Sequence, residues 1–348
     1  MRLIRGKLRE RLKRTRDDGN RALYRYGSHG FHYRFVRNVF SRETSAVFHG
    51  IREHHRKTQA GTEVFELRRR IHMIEKGLTM RPRRDKFATG YILELLERLD
   101  RSVRLGVLGD ETVAWARDVL DGYIEATATS TSHIIARART AYALIDLESA
   151  TPYCGPALPA APPIDFDPGR LEALAHHRRS VRWYQDRPVD RVLIDRAVGI
   201  ALQSPTACNR VPYQVRIFDT PADARAVAAI AGGTTGYVQN LQSVAVIVGD
   251  LSAYQDERDR HLIYIDGSLA AMGFVYALEA SGVSSCCINW PDMKAPERAM
   301  RELIGLEPYE RVVMLVAFGY GDPEGLAPAS PKLSLEQVRS YRSLEAHV

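Results

Sequence analysis

The run Arg178-Arg179-Ser180-Val181-Arg182 is a dense group of anion-binding side chains. Two guanidiniums four residues apart with a hydroxyl between them can close on one small anion, because each guanidinium is a planar fork of N–H donors matched to phosphate oxygens. Other familiar chemistries have little footing. GxSxG, HExxH and GxxxxGK[ST] are absent, and no carboxylate pair or metal-ligand set stands apart from the solvated background. Gly319-Tyr320-Gly321 has GxG spacing but no third glycine three residues on, which removes a dinucleotide fingerprint. Cys286 and Cys287, adjacent in a strand, point to opposite faces and are read as core packing rather than a redox pair; Cys208 is read the same way. His72, without other ligands at metal spacing, is read as packing or a helix-end cation.

The elements that must hold these residues follow from hydrophobic period. Val64, Leu67, Ile71 and Ile74 lie on one helical face, with Gly77 as the expected stop. Tyr91, Leu95, Leu96 and Leu99 mark a second helix, and Val113, Trp115, Val119 and Ile124 a third. This predicts an all-helical domain over residues 1–150. Residues 151–168, TPYCGPALPAAPPIDFDP, carry six prolines, a density that excludes helix and inner strand and predicts a linker or surface strap. Beyond it, helices are predicted at 188–203 and 221–231, with a long buried helix at Tyr264–Ser281. Strands are predicted at Gln214–Phe218, Val244–Val248, Ser285–Trp290 and Val312–Phe318. The expected class is α+β, a four-stranded sheet flanked by helices over 169–348.

Charge is divided along the same line. The net charge of +7 splits into 30 Lys+Arg against 20 Asp+Glu over residues 1–165 and 19 against 22 over 166–348. The excess is steepest in residues 1–60, with 16 basic and 5 acidic side chains. Residues 1–20 lack a signal-peptide core, and Leu3, Ile4, Leu8 and Leu12 fall on one face among arginines. A solvated basic terminus is the first expectation there, and a surface-lying helix on a membrane or other anionic partner the second. Four cysteines without framework spacing point to reduced thiols and a cytoplasmic protein. With only 8% aromatic residues and no aromatic interleaving of the basic stretch, specific nucleic-acid readout is not expected.

One helix after the arginine cluster the chain reads Gln203-Ser204-Pro205-Thr206-Ala207-Cys208-Asn209-Arg210-Val211-Pro212-Tyr213 and enters a strand. Asp266-Gly267-Ser268-Leu269-Ala270-Ala271 then opens the buried helix, and Ala317-Phe318-Gly319-Tyr320-Gly321-Asp322-Pro323 leads to Ser330-Pro331-Lys332. In order and interval these segments, over about residues 170–341, resemble the FMN-dependent nitroreductase family. The resemblance implies a mostly antiparallel nitroreductase-like core, FMN as cofactor, NAD(P)H as reductant and a homodimer with flavin sites at its interface. It places Arg178, Arg179, Ser180 and Arg182 on the phosphate and ribityl end of FMN, with Lys332 closing on the phosphate. Pro205, Thr206 and Asn209 would come from the partner subunit, and Ile288 and Asn289 would pass the flavin N5 and O4. Thr206, Val211, Tyr213, Gly273 and Leu333 depart from residues common in the family, so the acceptor is not defined. Residues Ile71–Leu78 also resemble the end of N-terminal extensions on nitroreductase-like proteins of polysaccharide clusters.

The expected function is therefore an FMN-dependent oxidoreductase that reduces a small-molecule acceptor with NAD(P)H by a ping-pong cycle. Electrons enter and leave through the flavin, so no catalytic side chain and no metal are required. Two alternatives stand beside it: a flavin-dependent dehydrogenase whose larger substrate is recognised by the N-terminal domain, and a non-enzymatic anion-binding adaptor on a flavin-fold dimer.

Overall fold

A computed structural model of the chain describes residues 38–152, 155–156 and 165–342. The basic stretch 1–20 and residues 153–154 and 157–164 of the proline-rich segment lie outside the described residues, and so do the expectations that fall on them.

The first half contributes helices α1 (Ser41–Ala60), α2 (Val64–Leu78), α3 (Ile92–Arg104), α4 (Asp110–Ala126) and α5 (His133–Tyr142). Helix α2 is launched by Glu63, whose carboxylate accepts the N–H groups of Phe65 and Glu66, two of the donors that a first turn leaves without intrahelical partners. Helices α2 to α5 share one core in which Leu67, Ile71, Ile74, Ile92, Leu95, Leu99, Val119 and Tyr123 are fully or almost fully buried. Such burial is worth about 1.5–3 kcal/mol for each large side chain. Gly77 does not end α2, which runs on to Leu78. A Cβ at Gly77 would lie 2.6 Å from the Phe87 ring, so glycine serves a close approach there and not a stop. Phe87 in turn meets Tyr123 edge to face at 5.0 Å.

The second half opens with α6 (Pro168–His177) and α7 (Arg191–Ala201), and continues through β1 (Tyr213–Phe218), α8 (Pro221–Ile230) and β2 (Ser243–Asp250). It closes with α9 (Leu262–Ala280), β3 (Ser284–Ile288), α10 (Lys294–Ile304), β4 (Glu310–Gly319) and the short α11 (Leu335–Val338). The four strands pair antiparallel in the order β1-β2-β4-β3. Alternating residues build two cores. Val244, Val246, Leu315 and Ala317 face α8 and α10, whereas Ala245, Val316 and Phe318 face α7 and α9. Because both faces are covered, β2 is apolar and buried almost throughout instead of alternating with polar residues. Phe274 of α9 meets Phe318 edge to face at 5.8 Å.

Helix α9 is one stretch among the described residues that is long and apolar enough to cross a membrane by length and composition, and half of that stretch is buried in the core. A helix that is hydrophobic all round suits a position between layers. On its remaining face Ile265, Leu269 and Met272 are exposed.

Helix α1 precedes the proline-rich segment yet packs against the second half. Ala46 joins Leu251, Ala253, Tyr254 and Ile263 in a separate core, His54 Nδ1 lies 3.0 Å from the Ser252 carbonyl, and Lys57 Nζ donates to Ser252 Oγ at 2.9 Å. Gly50 lets the two backbones touch, since a Cβ there would stand 2.7 Å from the Leu251 carbonyl oxygen. Gly50→Ala is accordingly expected to cost about 1–3 kcal/mol by overpacking this seam. Urea unfolding of the full chain measures it, and an unchanged midpoint would mean that α1 does not dock this way.

Candidate functional site

The arginine cluster forms the turn where α6 ends, followed by an extended segment. Val181 donates its N–H to the Ser285 carbonyl at 3.0 Å, and Ser180 bridges Ser285 in parallel, so residues 178–182 run beside β3. Further along, Tyr184 bridges Gly321, Gln185 N–H donates to the Tyr320 carbonyl at 2.8 Å, and Asp322 N–H donates to the Trp183 carbonyl at 2.9 Å. The arginine segment is thereby held between β3 and the Gly319–Asp322 turn, two motifs far apart in sequence. Asn240 fastens it from a third side, accepting the Tyr184 N–H at 2.6 Å and donating to the Tyr184 carbonyl at 3.1 Å.

Arg182 donates to the Ser180 carbonyl at 3.1 Å and its guanidinium stands 5.7 Å from the Tyr237 ring centroid. Arg179 is exposed and donates back to the carbonyls of His176 and Arg178. None of Arg178, Arg179 and Arg182 forms an ion pair among the described residues. Beneath them Cys286 is buried, and burial pushes its thiol up although the Arg182 charge opposes this. A thiol kept protonated is a poor nucleophile. Cys287 corrects the packing expectation: strand alternation turns it outward, and it is exposed. Ile288 is buried in the sheet core, so it offers only backbone to a ligand, while Asn289 lies just past the strand end and is exposed. Lys332 is exposed on the arm that follows residue 322 and has no ion-pair partner among the described residues.

The loop from Ser204 to Val211 is built at the other end of α9. Ser204 Oγ donates to the Leu269 carbonyl at 3.3 Å, and Asp266 accepts the Ala207 N–H at 3.0 Å. Burial pushes the Asp266 carboxyl up, while the Ala207 N–H and the Arg210 charge pull it down. Thr206 Oγ1 accepts the Val211 N–H at 3.2 Å, so this hydroxyl shapes the loop. Pro205 is exposed and Asn209 half-buried. Cys208, Asn209 and Val211 have φ of 57°, 54° and 56°, a left-handed geometry that costs L residues free energy and requires outside support.

Part of that support comes from the helical half. Arg68 of α2 donates from Nε to the Asn209 carbonyl at 2.9 Å and from Nη1 to Thr112 Oγ1 at 2.9 Å, with its guanidinium 5.1 Å from the Trp115 ring centroid. Burial lowers its pKa, and the Glu75 charge opposes that. Glu75 also accepts from Trp115 Nε1 at 2.9 Å and sits 2.8 Å from His72 Nδ1, so His72 is a helix-surface partner of a carboxylate. Residue-type reasoning missed Arg68, Tyr237 and Asn240. Arg68 carried a weak signal as part of the run Arg68-Arg69-Arg70, but its target is 141 positions away.

Within one chain the loop and the arginine segment are tied to different stretches of α9. The loop is anchored at Asp266, whereas the arginine segment adjoins the other end of α9, where Glu279 Oε1 lies 2.6 Å from His177 Nδ1. The loop also touches Leu269 and Gly273 through Ser204, so six to thirteen residues of helix, roughly 9 to 20 Å at 1.5 Å per residue, lie between its contacts and Glu279.

The model of the Nitroreductase family matches residues 175–248 and 238–320. A Thermus thermophilus NADH dehydrogenase is 30% identical over 196 residues, covering 47% of this chain and 92% of that protein. A Burkholderia lata protein named as an NADH dehydrogenase/NAD(P)H nitroreductase is 26% identical over 188 residues, covering 48% and 94%. Among solved structures, an FMN-dependent nitroreductase from Clostridium difficile aligns at 20% identity and a TM-score of 0.42, over 49% of this chain and 98% of that one.

Arg68→Ala would leave the Asn209 carbonyl and the Thr112 hydroxyl without their donor and uncover the Trp115 face. The expected loss is about 1–3 kcal/mol, read as a lower urea midpoint, with Arg68→Lys recovering only part of it because an ammonium lacks the two-armed geometry. Equal stability of Arg68→Ala and the parent chain would show the contact to be idle.

Proposed function

Because the chain belongs to the nitroreductase family, we propose that it is an FMN-dependent oxidoreductase that oxidises NAD(P)H and passes the electrons to a small-molecule acceptor in a ping-pong cycle. The observation that carries this reading is the set of uncompensated guanidiniums at Arg178, Arg179 and Arg182 beside β3. Cations held on a fixed backbone without carboxylate partners are a donor set suited to a phosphate, and the Ser180 hydroxyl adds a neutral donor. Arg178 and Arg182 would hold the FMN phosphate and ribityl end, with Arg179 at the rim and Lys332 brought in on its arm. The backbone at Ile288 and the Asn289 amide would lie along the polar edge of the ring. FMN, when bound, supplies the two-electron chemistry that links NAD(P)H to the acceptor. The protein's share is to bind, orient and leave one face open, with acceptor protons drawn from water.

A homodimer completes the site in this reading. Pro205, Thr206 and Asn209 belong to a loop seated on the Asp266–Gly273 stretch of α9, apart from the Glu279 end beside their own arginine segment, so they would serve the partner's cofactor. Two apolar surfaces support it. Ile265, Leu269 and Met272 form an exposed stripe along α9 at helical spacing, and the exposed arm from Pro323 to Arg342 carries Leu326, Leu333, Leu335, Val338 and Tyr341, all more than 60% exposed. Contiguous apolar surface of this kind marks an interface rather than a solvent face, and a second copy offers a self-complementary partner for it.

The full-length protein is expected to bind one FMN per chain and to oxidise NAD(P)H with an artificial acceptor. Arg178→Ala with Arg182→Ala should weaken FMN at least tenfold, since a charge-assisted hydrogen bond is worth about 1.5–3 kcal/mol; fluorescence titration measures this. A protein that takes up no FMN overturns the reading. Leu269→Glu should convert a dimer to monomer in light scattering and release FMN with it, and a wild-type chain that is monomeric yet binds FMN would remove the shared site.

A further inference from the structure

Helices α1 and α10, from opposite ends of the chain, face each other across a cleft of about 510 Å³. One wall is Ser41, Arg42, Ser45 and His49 of α1; the other is Lys294, Arg298 and Arg301 of α10; Arg311 of β4 and Ala46 lie between them. Five guanidinium or ammonium groups line the cleft against one lining carboxylate, Glu297, with Asp292 beside it. The two carboxylates are already spent. Asp292 Oδ1 accepts from Arg42 Nε at 2.7 Å and from Arg311 Nη2 at 3.1 Å, and Glu297 accepts from Arg311 Nη1 at 3.1 Å and from Trp290 Nε1 at 2.6 Å.

That accounting leaves Lys294 and Arg301 without ion-pair partners among the described residues, and Arg298 with only an exposed contact of 3.9 Å to Glu302. Arg311 is 4% exposed and its guanidinium is already engaged by Asp292, Glu297 and Tyr264, so the free donors of the cleft are those on α10. Like charges drawn together across a recess repel one another, and a cleft walled by one sign of charge concentrates counter-ions of the other. Side-chain hydroxyls at Ser41 and Ser45 add neutral donors to the same wall.

We infer that this cleft is a second anion site, distinct from the arginine cluster beside β3, and that it takes a small molecule bearing a phosphate or diphosphate group. Its volume lies in the range of small-molecule sites, and its donors are the forks and point charges that grip phosphate oxygens. The buried position of Arg311 at its base favours a soluble ligand that enters over a flat membrane surface that cannot. Arg42 also donates to the Asp292 backbone carbonyl at 2.9 Å, three residues after Asn289. An occupant would thus sit one short turn of chain from the strand end assigned above to the cofactor edge. The site itself does not depend on that assignment.

Inorganic pyrophosphate tests it by calorimetric titration of the full-length protein with excess FMN present. The expected result is one saturable site per chain that weakens at least tenfold in Lys294→Ala with Arg301→Ala and weakens at about 300 mM salt, where the screening length is roughly 6 Å. Arg178→Ala with Arg182→Ala should leave it in place. Absence of saturable binding, equal binding by the α10 double variant, or loss in the Arg178 and Arg182 variant instead would each overturn the inference. Thermal unfolding of the α10 variant without pyrophosphate checks its fold; both side chains are exposed and their removal relieves like-charge repulsion, so its midpoint should equal or exceed that of the parent chain.

Discussion

Everything in the second half is arranged around α9, an apolar helix that must be covered on nearly every side. The sheet and α7 bury Ala270, Phe274 and Leu278, and the close-packed alanines and glycines admit neighbours to backbone distance; a Cβ at Gly273 would meet Ala201 at 3.2 Å. Its two ends then become fixed platforms. Asp266 at one end pins the Ser204–Val211 loop, and Glu279 at the other lies against His177, at the start of the arginine segment. Loop and cluster are thus seated on different stretches of one buried helix, the arrangement on which the proposal of a site shared between two chains rests.

The helical half enters the same arrangement from outside. Arg68 reaches the carbonyl of Asn209 within a loop of three left-handed residues, and Arg42 reaches both the carboxylate and the carbonyl of Asp292. Burial pushes the Asp292 carboxyl up, but the Arg42 bond and the Arg311 charge outweigh it and hold the group below the ordinary range, so it stays an anion between two arginines. These ties give basic residues of the helical half a structural use, since guanidiniums there hold loops of the other half; the net excess itself lies almost wholly in residues 1–37. The excess was legible as charge without a partner, and net charge by itself would have pointed toward nucleic acid.

Much of the fold was legible because period and burial are local properties. All four strands appear within two residues of their expected positions, and α9 matches its expected span closely, since a continuous apolar run of that length permits few alternatives. Helices α1 and α10 were not singled out. Both carry many charged side chains, and the apolar residues they do bury, Ala46 and Met300, are too few to show a period. Gly77 was misread for a related reason: a glycine near a helix end suggests a stop, whereas its cause is the Phe87 ring, which only packing reveals.

The sequence by itself determined the class of the fold, the positions of its strands and the residue types of a phosphate clamp, because these depend on hydrophobic period and on short-range groupings such as Arg178 to Arg182; the antiparallel pairing was implied only by the family resemblance. Tertiary structure decided which of those residues meet. It paired the arginine segment with the turn at Gly321, seated the Ser204–Asn209 loop on the Asp266–Gly273 stretch of α9, turned Cys287 outward and set Arg68 on Asn209. Such contacts join positions up to 141 apart and rest on packing and hydrogen-bond satisfaction, which no local pattern of residues encodes.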